Sequence, residues 1–403
     1  MVWNIERVKR MTYDICIVGA GPGGLHSAGL LSKEGIKPLV LEKNKEATDS
    51  ICGEMVGKIV LDKTGISEDS DIVCSRVPRA HLINRDTGRT IEIPENISGG
   101  GYLLDEKRFK NHLKDIATSN GAEFKFEEKA TSVIKNDGYV TGIKTNKGTY
   151  KTPLTVAADG SYSKVAKTAG LPLSDYAAYP GFRYKLKNCK NLDPDTAEFH
   201  FSENIGLGYL WLYPRSETEC NVGIGSLQPE KMGAIMKRFI SEREELNNAK
   251  VTEKNGNKIP YTGLLPRFTD NGIVLVGNSA GQVSSLSGGG VMTTLTGAES
   301  SNPVLIDALE TGDFSYQKLS RYEQEYRSTK AGDNVESTSS YLSRIIDFSE
   351  KNDPFSYVDE VMKIVDEEKI TKTVNGNFSF SFFLSLLLKH PRFVFSILKG
   401  YYL

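Results

Sequence analysis

Cysteine is scarce here and gives no sign of pairing. Cys16, Cys52, Cys74, Cys189 and Cys220 are odd in number and never fall in a C-x-x-C spacing. That pattern argues against a disulfide framework or a zinc cluster, and it makes a reducing, cytoplasmic compartment the default. Surplus charge is missing as well. The 50 basic and 51 acidic residues leave a formal net charge of −1, so no nucleic-acid partner is expected. Met1 to Arg10 carries charges with no apolar run or small-residue cleavage site behind it, so no signal peptide is read there. The apolar segment Ile15–Val18 is far too short to span a bilayer. What remains is ordinary folded-protein composition, 39% hydrophobic and 25% charged. The 403 residues suffice for two or three cores, at roughly 150 residues each.

Glycine is the residue in excess. Its 38 copies cluster in GAGPGG (19–24) and in SGGG at 98–101 and 287–290. GAGPGG follows the apolar run YDICIV, which reads as a buried parallel strand, and precedes LHSAGLLSKEG with helical spacing and a second strand, KPLVLEK. The whole is one strand–turn–helix–strand unit. Alternating, β-rich stretches at 80–93 and 181–226 predict antiparallel sheet, and EKRFKNHLKDIATSNG predicts an amphipathic helix closed by Gly121. Strands recur at TSVIKN, YVTGIKT and LTVAAD. IVLVGNSAG (273–281) runs from a strand into a turn, a long helix follows through Thr293–Leu309, and the chain from about Tyr316 reads as helical.

Within GAGPGG, Gly19 permits the tight turn, Gly21 lets a pyrophosphate approach the backbone, and Gly24 lets helix pack on strand. The helix N-terminus then offers N–H groups and a positive dipole end to phosphate. Glu42 closes the next strand at the distance expected of a carboxylate that accepts from a ribose diol. These features predict a dinucleotide site. A second glycine constellation, GNSAG (277–281) with SGGG, precedes the later long helix, and a plain nicotinamide enzyme has no use for it. A flavoprotein does, so FAD is the expected cofactor, with Gly277, Asn278, Gly289, Gly290 and Val291 as contacts. The bland alternative is two loops that need positive φ. VAADGSYSKV (156–165) places Asp159 and Gly160 at another strand end, where Asp-Gly alone is only a turn signal.

GAGPGG, ICGE (51–54), GYLLDEKRF, VAADGSYSKV, GYLWLYP, NVGIGS and GNSAG with GGG together resemble the geranylgeranyl reductase family, over about residues 12–330. The resemblance implies a p-hydroxybenzoate hydroxylase-like α/β fold. A Rossmann-type FAD-binding domain (12–80, 100–170 and 265–330) would be interleaved with an antiparallel β-sheet substrate domain (81–99 and 171–264), ahead of a helical C-terminal region (331–403). It implies saturation of prenyl double bonds in archaeal membrane lipids. It adds Gly53, Ala130 and Asp159 to the cofactor contacts, and places Tyr209, Trp211 and Pro214 on the wall of a lipid tunnel. It puts Cys52 beside the flavin, where a protonated thiol could relay the proton that accompanies hydride. The alternative for Cys52 is a small polarizable wall residue, while a metal role lacks partner ligands. Tyr209 and Trp211 alternate along a strand and so share a face, which core aromatics also do. Arg215 fits either a lipid phosphate or an ordinary solvated surface.

Four positions depart from the family pattern: Asn278 stands where an acid is usual, Glu106 where an arginine is usual, and Ser284 and Ser285 where aspartate and proline are usual. No second G-x-G-x-x-G unit exists for a nicotinamide. The expected electron donor is therefore external, either NAD(P)H docking transiently or a small redox protein such as ferredoxin. The tail FSFSFFLSLLLKHPRFVFSILKGYYL (378–403) is apolar, basic and split by Pro391. It suits the surface of an anionic membrane on the cytoplasmic side, or equally a hairpin capping the protein's own tunnel. A flavin monooxygenase of an aromatic or polyene, and a non-catalytic prenyl-lipid or nucleotide binder, are the competing classes.

Overall fold

The structure is a computed structural model that describes residues 13–47, 53–95, 100–173 and 176–349. Cys52 and the tail 378–403 lie outside the described residues. The chain divides into two compact units. One is built from the described parts of Met1–Ser50, Glu106–Ala178 and Ile259–Ser339; the other contains Ile51–Asp105 and Tyr179–Lys258.

In the first unit, Ile15–Val18 is apolar at every position and buried on both faces. That is the requirement for an interior strand of a parallel sheet. Thr155–Ala157 and then Ile273–Leu275 lie to one side of it, and Pro38–Leu41 and Glu123–Lys125 to the other, all parallel. Among the described residues of this sheet, only the edge strand Thr269–Asp270 runs antiparallel. The helix Pro22–Lys33 opens with proline at its first position and is followed by Gly35 at φ +78°. A Cβ on Gly23 would sit 2.7 Å from Thr294 Cγ2, and one on Gly29 would sit 3.3 Å from Ile116 Cγ2. These two glycines therefore let the helix nest against Val291–Thr311 and Glu106–Ser119.

The second unit is a seven-stranded sheet in the order Lys250–Pro260, Ala178–Lys187, Glu219–Ser226, Gly208–Ser216, Thr196–Phe201, Arg79–Asn84, Thr90–Ile93. Helix Pro229–Glu242 covers one face, burying Met232, Met236 and Phe239 against Leu210, Val222 and Ile224. The expectation of a purely antiparallel sheet needs one correction. Thr196–Phe201 and Arg79–Asn84 pair in parallel, because the sheet is assembled from two separate passes of the chain instead of one hairpin series. Residues 53–80 and 100–105, which the sequence boundaries grouped with the nucleotide-binding domain, belong to this unit. There Met55–Val56 and Val73–Val77 flank Gly101–Leu104 in a small antiparallel sheet. Among the described residues no helix is long and apolar enough to cross a membrane.

Candidate functional site

The parallel register brings three distant glycine motifs side by side. Val18 lies opposite Ala157, and Ala157 lies opposite Leu275. GAGPGG, the Ala158-Asp159-Gly160 turn and GNSAG therefore leave the carboxyl ends of three adjacent strands. The sheet's connections diverge at the first strand, Ile15–Val18, and ligands of open α/β sheets bind at such a point. The turns are stitched together by Ala158 N–H donating to Val18 O at 2.8 Å, Val276 N–H to Ala157 O at 3.0 Å, and Ser279 Oγ–H to Ala157 O at 2.7 Å.

Each glycine of the first motif has a distinct reason to be there. Gly19 sits at φ +104°, and a Cβ on it would meet Ala158 O at 2.3 Å; one on Gly24 would meet Gly19 O at 1.9 Å. Gly21 is different. It is the extended N-cap of helix Pro22–Lys33, has no side-chain capping bond, and a Cβ there would meet nothing within 4 Å. The backbone is thus open at the one place where a phosphate would approach. Helix Val291–Thr311 begins in the same way, on Gly290 with no side-chain cap. Two uncapped helix N-termini beside three abutting turns make a donor set for an anionic dinucleotide, so the residues present fit FAD.

Glu42 is buried and holds the turn. Its Oε2 accepts from Ala20 N–H at 2.7 Å and its Oε1 from Asn44 N–H at 2.9 Å. Asp159 acts on its own loop: Ser163 Oγ–H donates to Oδ1 at 2.5 Å, and Lys164 and Val165 N–H donate to Oδ2 at 3.0 and 3.2 Å. Desolvation raises its pKa against those bonds. Asn278 Nδ2 reaches Ser161 Oγ at 3.3 Å, and Tyr176 O–H donates to the Asn278 carbonyl at 2.9 Å. Ser284 and Ser285 are buried, with hydroxyls that have no partner among the described residues. Glu106 carries its own counter-ion, for Lys110 Nζ lies 2.5 Å from its carboxylate and both are buried. Ala130 opens the strand Ala130–Asn136, paired with Thr145, and is on none of the three turns.

In the second unit Tyr209 and Trp211 do share a face, together with Tyr213, Phe199 and Phe201; neighbouring rings lie 5.5–6.2 Å apart. Gly223, opposite Trp211 on the next strand, leaves the space the indole fills: a Cβ there would lie 2.0 Å from Trp211 Cζ2. Trp211 Nε1 is buried and unbonded among the described residues. Pro214 pairs with Cys220 and, by strand alternation, belongs to the opposite face from the two aromatics.

Sequence reasoning missed the charge cluster around Glu54. This side chain is fully buried and stands at φ +67°. Arg183 Nη1 and Lys185 Nζ approach Oε1 at 3.0 and 2.8 Å, while Asn221 Nδ2 donates to Oε2 at 2.6 Å and Arg215 binds the same oxygen. Burial pushes this carboxyl up, but Arg183, Arg215 and Lys185 hold it below the usual range. Arg215 is thus committed to an internal acid and is not a solvated surface cation. The one available signal was Arg183 and Lys185 at alternate positions of GFRYKLK, which places both on one strand face.

Residues 12–181 match the FAD binding domain family, and residues 178–259 match the geranylgeranyl reductase catalytic domain family. The digeranylgeranylglycerophospholipid reductase 2 of Methanococcoides burtonii is 33% identical over 79% of this chain and 80% of its own. The chain belongs to the geranylgeranyl reductase family. It is a flavin-dependent oxidoreductase whose cofactor is FAD. A second family member, the digeranylgeranylglycerophospholipid reductase of Methanocella arvoryzae, is 31% identical over 78% of this chain and 83% of its own. A solved geranylgeranyl bacteriochlorophyll reductase-like protein from Thermoplasma acidophilum superposes with a TM-score of 0.82 and 25% identity, covering 96% of this chain and 99% of that one. A flavin-dependent brominase, 16% identical with a TM-score of 0.67, shares the fold alone.

Proposed function

We propose that this protein saturates the C=C bonds of geranylgeranyl chains in archaeal-type membrane ether lipids. The observation that supports the reading most directly is the aromatic sheet face of Phe199, Tyr209, Trp211 and Tyr213, carried by a chain that also has the FAD turns. Rings with spacings near 6 Å suit a long apolar polyene better than a polar metabolite. In this reading Gly19, Gly21 and Gly24 cradle the pyrophosphate with the helix N-terminus behind Gly21. Gly277, Asn278, Gly289, Gly290 and Val291 serve the remainder of the cofactor. Bound and reduced, FAD supplies the hydride. The aromatic face orients the alkene, and Cys52 or a nearby water gives a proton to the second alkene carbon. The electron donor is NAD(P)H or a small redox protein, and the basic apolar tail attaches the protein peripherally to the cytoplasmic face of the membrane.

The deciding experiment is anaerobic. Purified protein, chemically reduced, is mixed with a digeranylgeranyl ether lipid and the lipid is weighed by mass spectrometry. A gain of two mass units per saturated bond is expected. Oxygen-dependent consumption of NAD(P)H with an oxygenated product would instead establish a monooxygenase. A protein that purifies colourless and cannot be loaded with FAD would be a binder without turnover. Flotation with anionic lipid vesicles tests the membrane attachment; a protein that stays unbound refutes it.

A further inference from the structure

Cys189 and Cys220 take no part in the nucleotide turns or the aromatic face, but the fold brings them together. Both are free and buried, and their sulfurs lie 3.8 Å apart across 31 positions of sequence. Cys220 stands on strand Glu219–Ser226, opposite Leu186. The ladder of that strand pair ends at Lys187 and Glu219, and Asn188 then takes φ +63°. That left-handed step turns the chain back, so Cys189 N–H donates to Thr218 O at 3.0 Å and its sulfur meets Cys220. Both thiols belong to the apolar core that helix Pro229–Glu242 covers. A buried cysteine by itself needs only a small apolar role, which valine or alanine would fill as well. Two in sulfur contact add a reaction that neither substitute could perform.

The segment between the two thiols shows what that reaction would affect. It makes two strands, Thr196–Phe201 and Gly208–Ser216, which carry Phe199, Phe201, Tyr209, Trp211 and Tyr213. Every ring of the aromatic face thus lies inside the loop that a bond between the sulfurs would close. Entry for a reagent is at the Cys189 end. Asn188, Lys190 and Asn191 are exposed around it, and Asn191 is also left-handed, at φ +53°. Two left-handed asparagines within four positions mark a turn whose local opening admits a small oxidant while the sheet stays paired. The sulfur contact holds the Cys189 thiol below the usual value and pushes Cys220 well above it, so the better nucleophile is the one beside the exposed turn.

We propose that Cys189 and Cys220 are a peroxide-sensitive thiol pair whose reversible disulfide staples the loop that carries the aromatic face. The Cys189 sulfur attacks one oxygen of hydrogen peroxide, the O–O bond breaks, and hydroxide leaves a sulfenic acid on Cys189. The Cys220 sulfur then attacks that sulfur and gives up its proton, and the S–O bond breaks as the S–S bond forms. Two thiols lose two electrons and two protons, and one peroxide becomes two waters. Exchange with a small dithiol restores both thiols and leaves the dithiol oxidised. None of this depends on which lipid the protein acts upon.

The test uses the full-length, FAD-loaded protein and needs no lipid. Protein treated with hydrogen peroxide is blocked with iodoacetamide in denaturant and mapped by non-reducing peptide mass spectrometry. A linked pair of peptides containing Cys189 and Cys220 should be the dominant oxidised product, and dithiothreitol should remove it. Closing a loop of 31 positions should raise the melting temperature of the linked protein by about 5 °C or more. Amide hydrogen exchange across 196–201 and 208–216 should slow at least about threefold. In Cys220→Ala, Cys189 should instead accumulate as a sulfenic acid that dimedone traps. Wild-type protein that gives sulfinic or sulfonic acid at Cys189 without the linked pair overturns the proposal. So does a linked pair that forms only in urea, or one that leaves melting and exchange unchanged.

Discussion

Replacing Gly21 and Gly24 by alanine, one at a time, separates what the first turn does for the fold from what it does for the cofactor. At Gly21 the backbone is extended, with φ −77° and ψ 177°, and an added Cβ meets nothing within 4 Å. Replacing glycine by alanine at an N-cap costs about 0.5–1 kcal/mol, which the stiffer unfolded chain offsets by about 0.4–1. The apoprotein should therefore melt within a degree or two of wild type. The methyl group would, however, stand where the pyrophosphate approaches. Overpacking of that kind costs about 1–3 kcal/mol, which corresponds to FAD binding about 5- to 140-fold weaker. At Gly24 the same methyl would sit 1.9 Å from Gly19 O, a collision inside the protein itself. Gly24→Ala should lower the apoprotein melting temperature as well as the affinity. Titration of each apoprotein with FAD by flavin fluorescence, beside differential scanning calorimetry, reads both quantities. Wild-type FAD affinity in Gly21→Ala would refute the assignment of this turn to the cofactor.

Gly223→Ala should displace the Trp211 indole from its strand, lowering stability by about 1–3 kcal/mol and raising KM for a prenyl lipid; chemical denaturation and steady-state kinetics check the two effects. Cys52→Ala should slow saturation in single-turnover experiments while leaving the flavin spectrum unchanged. Stability should fall on acidification in two stages. Burial lowers the pKa of His200, so the unfolded chain takes up that proton first and stability begins to drop below the ordinary histidine value of about 6.5. Burial opposes ionisation of Glu198, but His200 and Arg243 hold its carboxyl down to about 2, so its contribution is present above the usual carboxylate range and lost as pH falls toward 2. Urea melts at stepped pH should show the second stage flattened in Glu198→Gln.

What the sequence revealed and what it concealed follow a physical line. GAGPGG and GNSAG were legible because positive φ at Gly19 and Gly277, and the backbone contact at Gly24, admit no other residue. The strands at 15–18, 155–157 and 273–275 announced themselves by unbroken apolar runs. Tyr209 and Trp211 obeyed simple alternation. Glu54 was invisible because its significance lies wholly in partners from strands far along the chain, and a single acid in ICGE looks like any other. Pro214 was grouped with Tyr209 and Trp211 as a motif neighbour, while period-two geometry puts it on the other strand face. The parallel pairing of Thr196–Phe201 with Arg79–Asn84 depends on the order of strands in space, which local pattern does not encode.

The first unit's sheet is completed out of order. Ile273–Leu275 must dock beside Thr155–Ala157, which itself waits beside Ile15–Val18. Until the ribosome has released residue 275, Thr155–Ala157 is a bare rim of unpaired N–H and C=O groups. A nascent chain in that condition invites intermolecular association, and truncations ending before Ile273 should accumulate as inclusion bodies.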